Sequence, residues 1–323
     1  MIDSQWVIAA YRLILGREPE NAEVVRLAAE GNADLQSLRS SFLDSTEFQQ
    51  HVAAMKMPDR FPMDQAPYAE VQVDTDPETL RGLLRHVGST WSKLGEEEPY
   101  WSVITLDKFK RESFDQNSSA YWTSGQSDLS RFISWIDRHR IDLRSLPCVM
   151  EYGCGTGRTT LWLARQFPRV IACDISKAHL AIAREQLSKE TNAVVDFIPI
   201  TLDALERLPA CDVLFSLIVL QHNPPPLIKY LLGRLLRALK PGGVAYFQIP
   251  TYRKGYTFNL HDYLTSISAG GEDDMEMHVL PQEDAFEVIY AENCRVLEVQ
   301  PDNLANSLDN ISNTFLVQKT KSI

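Results

Sequence analysis

The chain has 323 residues, of which 44% are hydrophobic and 23% charged, a composition typical of globular proteins with a sizeable core. Its length suits a main domain with an attachment. The net charge of -11 argues against nucleic acid as a partner, because such binding requires clustered Lys and Arg. The N-terminus lacks a signal peptide's basic and apolar regions, and no uncharged apolar stretch approaches the roughly 20 residues of a membrane span.

Cysteine usage points to a reducing compartment. The five cysteines are an odd number without the paired spacing of disulfide frameworks or zinc sites. Free thiols are the better interpretation, since disulfides are rare in the cytosol. We therefore expect a cytoplasmic protein that binds no metal.

Residues 1–55 predict a small all-α domain. Apolar residues at helical spacing, with polar capping residues before them, predict four short helices. The first contains Val7, Tyr11 and Leu15, the second runs from near Pro19 to Gly31, the third contains Leu35, Leu38 and Phe42, and the fourth contains Phe48 and Val52.

The run Tyr11-Arg12-Leu13-Ile14-Leu15-Gly16-Arg17-Glu18, followed by Ser45-Thr46-Glu47-Phe48, resembles the helical domain related to phycobilisome linkers. The chain departs from that pattern by lacking an acidic-glycine turn and a Tyr-Trp pair after Pro19. Such domains are attached to bacterial surface-glycan enzymes, so the resemblance implies a glycan context. It also implies a protein partner or self-association through residues 1–55. A plain helical appendage is the preferred interpretation, since fold does not define function.

Residues 56–114 predict a linker followed by an aromatic helical segment. Four prolines, Pro58, Pro62, Pro67 and Pro77, interrupt any periodicity. The pattern then turns helical up to about residue 147 and is rich in aromatic residues: Trp91, Tyr100, Trp101, Phe109, Phe114, Tyr121 and Trp122. Core packing is the usual role of such residues. A lid over a pocket is the alternative.

From Cys148 onward, short apolar runs alternate with helical patterns, which predicts βαβ units and a mostly parallel sheet. The predicted strands are 149–152, 170–173, 194–198, 213–217, 244–249, 295–299 and 314–318.

Directly after the first strand comes Glu151-Tyr152-Gly153-Cys154-Gly155-Thr156-Gly157. Alternate glycines permit a tight strand-to-helix turn and close approach of the backbone to a ligand. Asp174 ends the second strand, where a carboxylate can accept hydrogen bonds from a ribose diol. A dinucleotide-binding loop would have its third glycine one residue later. Glu151 would also repel a pyrophosphate, whereas it suits a cationic ligand.

The glycine spacing, together with Asp212–Ser216 and the turn Leu239-Lys240-Pro241-Gly242-Gly243-Val244, resembles the class I S-adenosylmethionine (SAM) dependent methyltransferases. The resemblance covers residues 115–323. It implies an α/β fold: a Rossmann-like seven-stranded sheet in the order 3-2-1-4-5-7-6, with strand seven antiparallel and helices on both faces. SAM is the implied cofactor.

The resemblance also implies cofactor-binding residues. The glycines would line the methionine part, Asp174 would bind the ribose and Asp203 the adenine amine. The full predicted set is Glu151, Gly153, Cys154, Gly155, Gly157, Asp174, Ile175, Asp203 and Ser216. Asn223-Pro224-Pro225-Pro226 is similar to the Asn-Pro-Pro-aromatic motif of enzymes that methylate amide or base nitrogens, but it comes late and lacks the aromatic residue. We expect these prolines to open a helix over 227–239 instead.

Methyl transfer to a hydroxyl group requires a base, for which histidine is well suited. His222 follows the fourth strand and His278 begins a later helical segment, and we name both as catalytic residues without ranking them. Tyr252 and His261 follow the fifth strand, where such enzymes bind their acceptors. The sequence thus favours O-methylation of a small-molecule or saccharide acceptor. An inactive methyltransferase-fold scaffold and a nicotinamide oxidoreductase are the alternatives.

Overall fold

The computed structural model describes residues 2–48, 70–269, 275–305 and 310–321. The chain divides into two compact units, Met1–Pro62 and Met63–Ile323. Val52 of the predicted fourth helix and the linker prolines at 58, 62 and 67 lie outside the described residues.

The N-terminal unit is helical, with α1 at Ser4–Ala10, α2 at Ala22–Glu30 and α3 at Leu35–Leu43. Each helix begins after a capping side chain that accepts a backbone N–H, namely Asp3, Asn21 and Asp34. The second helix starts at Ala22 rather than near Pro19, because Asn21 caps it there. A π-helical turn, Tyr11–Leu15, extends α1 and ends at Gly16, which has φ +68°.

A small core holds this unit together, formed by Val7, Tyr11, Leu15, Val25, Ala29, Leu38 and Phe42. The ring of Tyr11 packs edge-on against that of Phe42, with centroids 4.9 Å apart. Arg17 donates to both carboxylate oxygens of Glu47, at 2.5 and 2.7 Å. Several residues of the linker-like motif therefore have structural roles. The relationship to phycobilisome linkers and any protein partner stay predictions.

The larger unit begins with two long helices, α4 at Pro77–Glu97 and α5 at Arg111–Arg138. Its strands are β1 Cys148–Tyr152, β2 Arg169–Asp174, β3 Val194–Pro199, β4 Cys211–Ser216, β5 Leu239–Arg253, β6 Cys294–Asp302 and β7 Asn310–Lys319. Between them lie α6 Thr160–Gln166, α7 Lys177–Glu190, α8 Leu202–Glu206, α9 Pro225–Arg237, α10 Leu260–Ser268 and α11 Gln282–Ala291.

The seven strands form one sheet in the order β3-β2-β1-β4-β5-β7-β6. Strands β1 to β5 pair in parallel, and β7 is antiparallel to both β5 and β6. The predicted topology is confirmed. In a parallel sheet the carboxyl ends of the strands share one edge, where ligands bind.

Helices cover both faces of the sheet. Alternating strand residues divide between two cores, so that Met150 packs with α4, α9 and α11, while Val149 packs with α5, α6 and α7. Residue 115, the predicted start of the methyltransferase-like domain, lies inside α5, whose Phe132 and Ile136 are fully buried against the sheet. Helix α9 begins at Pro225, so the prolines do open it.

Two further observations concern the chain's environment. All five cysteines are unpaired and buried. Among the helices in the described parts of the chain, none is both long and apolar enough to cross a bilayer.

Candidate active site

A cavity of about 830 Å³ lies at the carboxyl ends of the parallel strands. What we call its glycine-loop end is formed by Glu151, Gly153, Gly155, Asp174 and Ile175. Its β5–β7 end is formed by Arg253, Met277, Asn303, Leu304 and Asn310. Of the residues predicted from sequence, Cys154 and His222 also line it.

The glycine loop bends sharply at the end of β1. Gly153 and Gly155 have φ of +77° and +53°, values that favour glycine. A Cβ on Gly153 would come within 2.2 Å of the Val219 side chain, and one on Gly155 within 2.7 Å of that of Val103. The loop is therefore glycine-rich for two reasons, its backbone conformation and its close packing.

Asp174 connects the loop to the end of β2. One carboxylate oxygen accepts the N–H of Gly155 at 2.7 Å, and the other accepts the N–H of Ser176 at 2.8 Å. Burial raises the pKa of Asp174, against the opposing effects of His179 and these two N–H groups. Carboxylate oxygens have further lone pairs, so Asp174 can accept a ligand's hydroxyl groups while it holds the loop.

Glu151 is a buried carboxyl group in the same cavity, only 5% exposed. Burial raises its pKa to about 8, although a hydrogen bond from Thr160 at 2.5 Å and the charge of Arg158 act in the opposite direction. Near neutral pH this group is therefore largely protonated. A cation bound nearby would favour its ionised form.

Helix α5 fixes the glycine loop from outside. Arg158 donates to Asp128 of α5 at 2.5 Å, and the Tyr121 hydroxyl lies 2.6 Å from that of Thr156. Gly125 lets the helix approach closely, since a Cβ there would lie 2.4 Å from the carbonyl oxygen of Arg158. The loop is thus preorganised by its neighbours as well as by its glycines.

Residues 98–106 run across the glycine-loop end, and residues 102–106 line the cavity. His179 of α7 anchors this segment, because its Nε2 lies 3.0 Å from the Ser102 hydroxyl and 3.2 Å from the Pro99 carbonyl oxygen. Gly95 at the end of α4 packs directly over Ser176 and His179. The lid alternative from the sequence includes this segment, but the sequence named neither residues 102–106 nor His179 as site residues.

The aromatic residues before β1 mostly pack together. Phe109, Phe114 and Tyr121 form a small core with Tyr100 and Trp122. Trp91 instead lines the cavity, and its ring lies 5.3 Å from that of His222. Core packing therefore describes most of them, and a lid role stays a prediction.

His222 lies in a short 3-10 turn, Leu220–His222, after β4. Its Nδ1 lies 2.8 Å from the carbonyl oxygen of Glu276, so Nδ1 carries the proton and donates it. Its Nε2 lies 3.2 Å from the amide nitrogen of Gln221 and is the basic nitrogen. Burial lowers the pKa of His222 to about 4, so the ring is neutral at physiological pH.

His278, the other predicted base, does not line the cavity. It is 7% exposed, with Nδ1 2.8 Å from the Tyr256 hydroxyl and Nε2 2.9 Å from a carboxylate oxygen of Glu276. Tyr263 donates to that same oxygen at 2.6 Å. Burial opposes ionisation of Glu276, but the hydrogen bonds from His278 and Tyr263 hold its pKa below the usual value. The structure therefore places His278 behind His222, where it supports the segment that orients the His222 ring.

Ile218 holds a strained backbone in the cavity wall, with φ +58°, which is unusual for a β-branched residue. Its N–H donates to the Gln248 side chain at 3.1 Å, and Gln248 in turn donates to Gln221 and Ser312. This buried network offsets the strain, which is common at functional sites.

Five other residues of the predicted set do not line the cavity. The positive φ of Gly157 and its packing against Leu187 explain that glycine. Ser216 is buried and donates to the Tyr152 carbonyl oxygen. Asp203 is exposed, because Thr201 caps α8 and places Asp203 in its first turn. Tyr252 is half-buried in β5, and His261 is exposed on α10.

Sequence reasoning missed Arg158, Arg253, Met277 and Asn310 as lining residues. Arg158 directly follows the glycine loop, a position that could have indicated its role. The antiparallel pairing of β5 with β7 brings Arg253 and Asn310 together, and Met277 comes from the segment between α10 and α11. No local motif marks them.

The strand order, the glycine-rich loop and the acidic residue ending β2 define the fold of the class I SAM-dependent methyltransferases. Residues 149–243 match the family profile described as a methyltransferase domain. The larger unit therefore has the fold of this class, and residues 149–243 within it match a methyltransferase domain.

Individual relatives are partial matches. The chain is 31% identical over 157 residues to a ubiquinone biosynthesis O-methyltransferase of Pseudomonas fluorescens (strain SBW25), covering 47% of this chain and 65% of that protein. It is 35% identical over 123 residues to a trans-aconitate 2-methyltransferase of Variovorax paradoxus (strain S110), covering 38% of this chain and 45% of that protein. The crystal structure of a SAM-bound magnesium protoporphyrin IX methyltransferase from Synechocystis PCC 6803 is 14% identical, with a TM-score of 0.49. The match covers 73% of this chain and 97% of that one. The chain thus spans less than two thirds of the first curated relative's length.

Proposed function

We propose that the protein is a SAM-dependent O-methyltransferase acting on a small hydroxylated molecule. One observation carries the proposal: the cavity combines two buried carboxyl groups, Glu151 and Asp174, with a histidine that is neutral at physiological pH. The relatives named as methyltransferases support the same chemistry.

The chemistry of the cavity fits SAM. Glu151 is a buried carboxyl whose pKa is raised to about 8 by burial, and a cationic ligand would relieve that cost. Asp174 offers lone pairs to ribose hydroxyls beside a backbone that can approach the ligand closely. A pyrophosphate would face Asp174 and would oppose any ionisation of the buried Glu151, which disfavours the nicotinamide alternative.

SAM bound here would supply an electrophilic methyl group, with the C–S bond breaking onto sulfur as the new O–C bond forms. Glu151 and Asp174 would hold its amino and ribose groups, as the sequence suggests. Nε2 of His222 would accept the proton that leaves the acceptor hydroxyl, once that hydroxyl replaces the Gln221 amide N–H that now donates to Nε2. Because Nδ1 is already held by the Glu276 carbonyl, the ring needs no change of tautomer. Trp91 and residues 102–106 would exclude water from the cavity.

Several finer assignments belong to this proposal alone. The saccharide acceptor and the bacterial glycan context derive from the linker-like resemblance of residues 1–55. We also propose a protein partner or self-association through the same residues, and a cytoplasmic location.

The test begins with calorimetric titration of the purified full chain with S-adenosylhomocysteine (SAH). We expect one site with a Kd in the micromolar range. Methyl transfer from radiolabelled SAM to a panel of hydroxylated acceptors should then follow. Absence of SAH binding would refute the proposal, and NADH binding in its place would favour an oxidoreductase. SAH binding without turnover on any acceptor would favour the scaffold alternative.

A further inference from the structure

We propose that Arg253 recognises a carboxylate on the acceptor, and that Asn310 beside it accepts a hydrogen bond from an adjacent donor of the same molecule. This inference rests on the proposed function and specifies the substrate class: a largely apolar molecule with a carboxylate and a separate hydroxyl group that is methylated. It draws on the cavity's β5–β7 end.

Arg253 is a cation in the cavity wall without a counter-ion among the residues that the structure describes. It ends β5 and forms no salt bridge with any of the described residues. Arg158, the other arginine in the lining, is paired with Asp128. The contrast matters in a chain of net charge -11, where carboxylates are abundant. A guanidinium in a partly enclosed site is a preferred partner of planar carboxylates.

Asn310 supplies a second, independent observation. Its side-chain nitrogen donates to the thioether of Met277 at 3.2 Å, and sulfur is a weak acceptor. Its side-chain oxygen is buried and has no hydrogen-bond partner within the parts of the chain described. Buried polar groups are normally paired, so an unpaired one in a cavity wall points to a ligand.

The two side chains are cross-strand neighbours. Arg253 pairs with Asn310 in the register of β5 and β7, and both line the cavity. Side chains directly opposite each other on antiparallel strands lie on one face, with Cβ atoms about 4.5–5.5 Å apart. They can therefore contact one small group together, with Arg253 binding its carboxylate and Asn310 an adjacent donor.

The remaining lining indicates the rest of the acceptor. Trp91, Ile104, Leu106, Met277 and Leu304 give this cavity apolar walls. An acceptor that pairs one carboxylate with an apolar body would match both features. The Asp174 carboxylate at the glycine-loop end would repel a carboxylate there, so its charge would be directed towards Arg253.

The test measures binding of hydroxylated carboxylic acids, aliphatic and aromatic, each beside its own neutral carboxamide. Titrations use the SAH-loaded full chain. We expect the best carboxylate to bind at least about 10-fold more tightly than its carboxamide. Arg253→Met should remove that preference, and Arg253→Lys should restore part of it. Lys254→Met is the matched control, since Lys254 is the adjacent exposed cation and does not line the cavity.

Asn310→Asp is the second variant. It places a negative charge beside Arg253, so it should weaken carboxylate binding more than carboxamide binding. If the substitution only disturbed packing, it would weaken carboxylate binding and carboxamide binding equally. Lack of preference for any carboxylate over its carboxamide would overturn the inference, as would equal effects of Arg253→Met and Lys254→Met. SAH binding is measured in parallel for every protein: its loss in the unmodified chain would refute the proposed function instead.

Discussion

The two ends of the cavity are built in opposite ways. The glycine-loop end comes from 25 consecutive residues, Glu151 to Ile175, with its carboxyl groups on neighbouring strands. The β5–β7 end joins Arg253 to Met277, 24 positions later, and to Asn310, 57 positions later in the chain. Local chemistry therefore specifies the first end, whereas tertiary pairing specifies the second. In such an arrangement, substitutions at the β5–β7 end can change the proposed acceptor specificity without changing cofactor binding at the glycine-loop end.

A substitution at His222 should give the largest difference between the effect on kcat and the effect on SAH affinity. We expect His222→Gln to lower kcat by about 100- to 10,000-fold, because general base catalysis typically contributes this much. SAH affinity should remain unchanged. The wild-type rate should rise with pH through about 4 and then level off, following the low pKa of His222. Steady-state kinetics on the best panel acceptor checks this.

A structural role for His222 would give another result. It would lower stability and SAH affinity together and leave the pH profile of the remaining activity unaltered. Such data would exclude His222 as the base.

The next effect tests the glycine-loop end itself. Asp174→Ala should weaken SAH binding by about 30- to 1000-fold, because two backbone N–H groups lose their acceptor along with the ribose. Asp203→Ala should change the affinity less than about 2-fold, as expected of an exposed side chain away from the cavity. Calorimetry of both variants checks the difference, and equal affinities would contradict it.

Glu151 should make the free energy of unfolding of the ligand-free protein depend on pH. Its folded pKa of about 8 lies above the ordinary value of 4.5. The folded state therefore binds more protons between these values, and its contribution to stability falls as pH rises through that window. We expect Glu151→Gln to remove a loss of about 2–4 kcal/mol between pH 5 and pH 9. Urea unfolding at both pH values measures it. Parallel pH profiles for the two proteins would refute the assignment.

The smallest effect concerns the support that α5 gives the loop. Gly125→Ala should lower the free energy of unfolding by about 1–3 kcal/mol, because the added Cβ would meet the Arg158 carbonyl oxygen. Gly82→Ala, in α4 with open space around it, should raise it by about 0.5–1 kcal/mol through helix propensity. Equal changes in thermal unfolding would show that α5 does not press on the loop.

The sequence predicts the glycine-loop end well because its determinants are local. Alternate glycines and an acidic residue near the carboxyl end of each of two strands are visible without a structure. Asp203 illustrates the limit, because the Thr201 cap turns its side chain outward. His278 shows another limit, since its burial depends on backbone hydrogen bonds from His278 to Gln221 and from Leu280 to Pro250 of β5. Arg253 and Asn310 meet only through strand pairing, which no local spacing encodes.

Burial differs along the cavity in a way that bears on kinetics. Glu151 and Asp174 are 5% and 8% exposed beneath the anchored residues 98–106, while Arg253 is exposed. Under the proposed function, the methyl donor would occupy the buried end and the acceptor the exposed end. We therefore expect ordered kinetics, in which SAM binds before the acceptor and SAH dissociates after the methylated product.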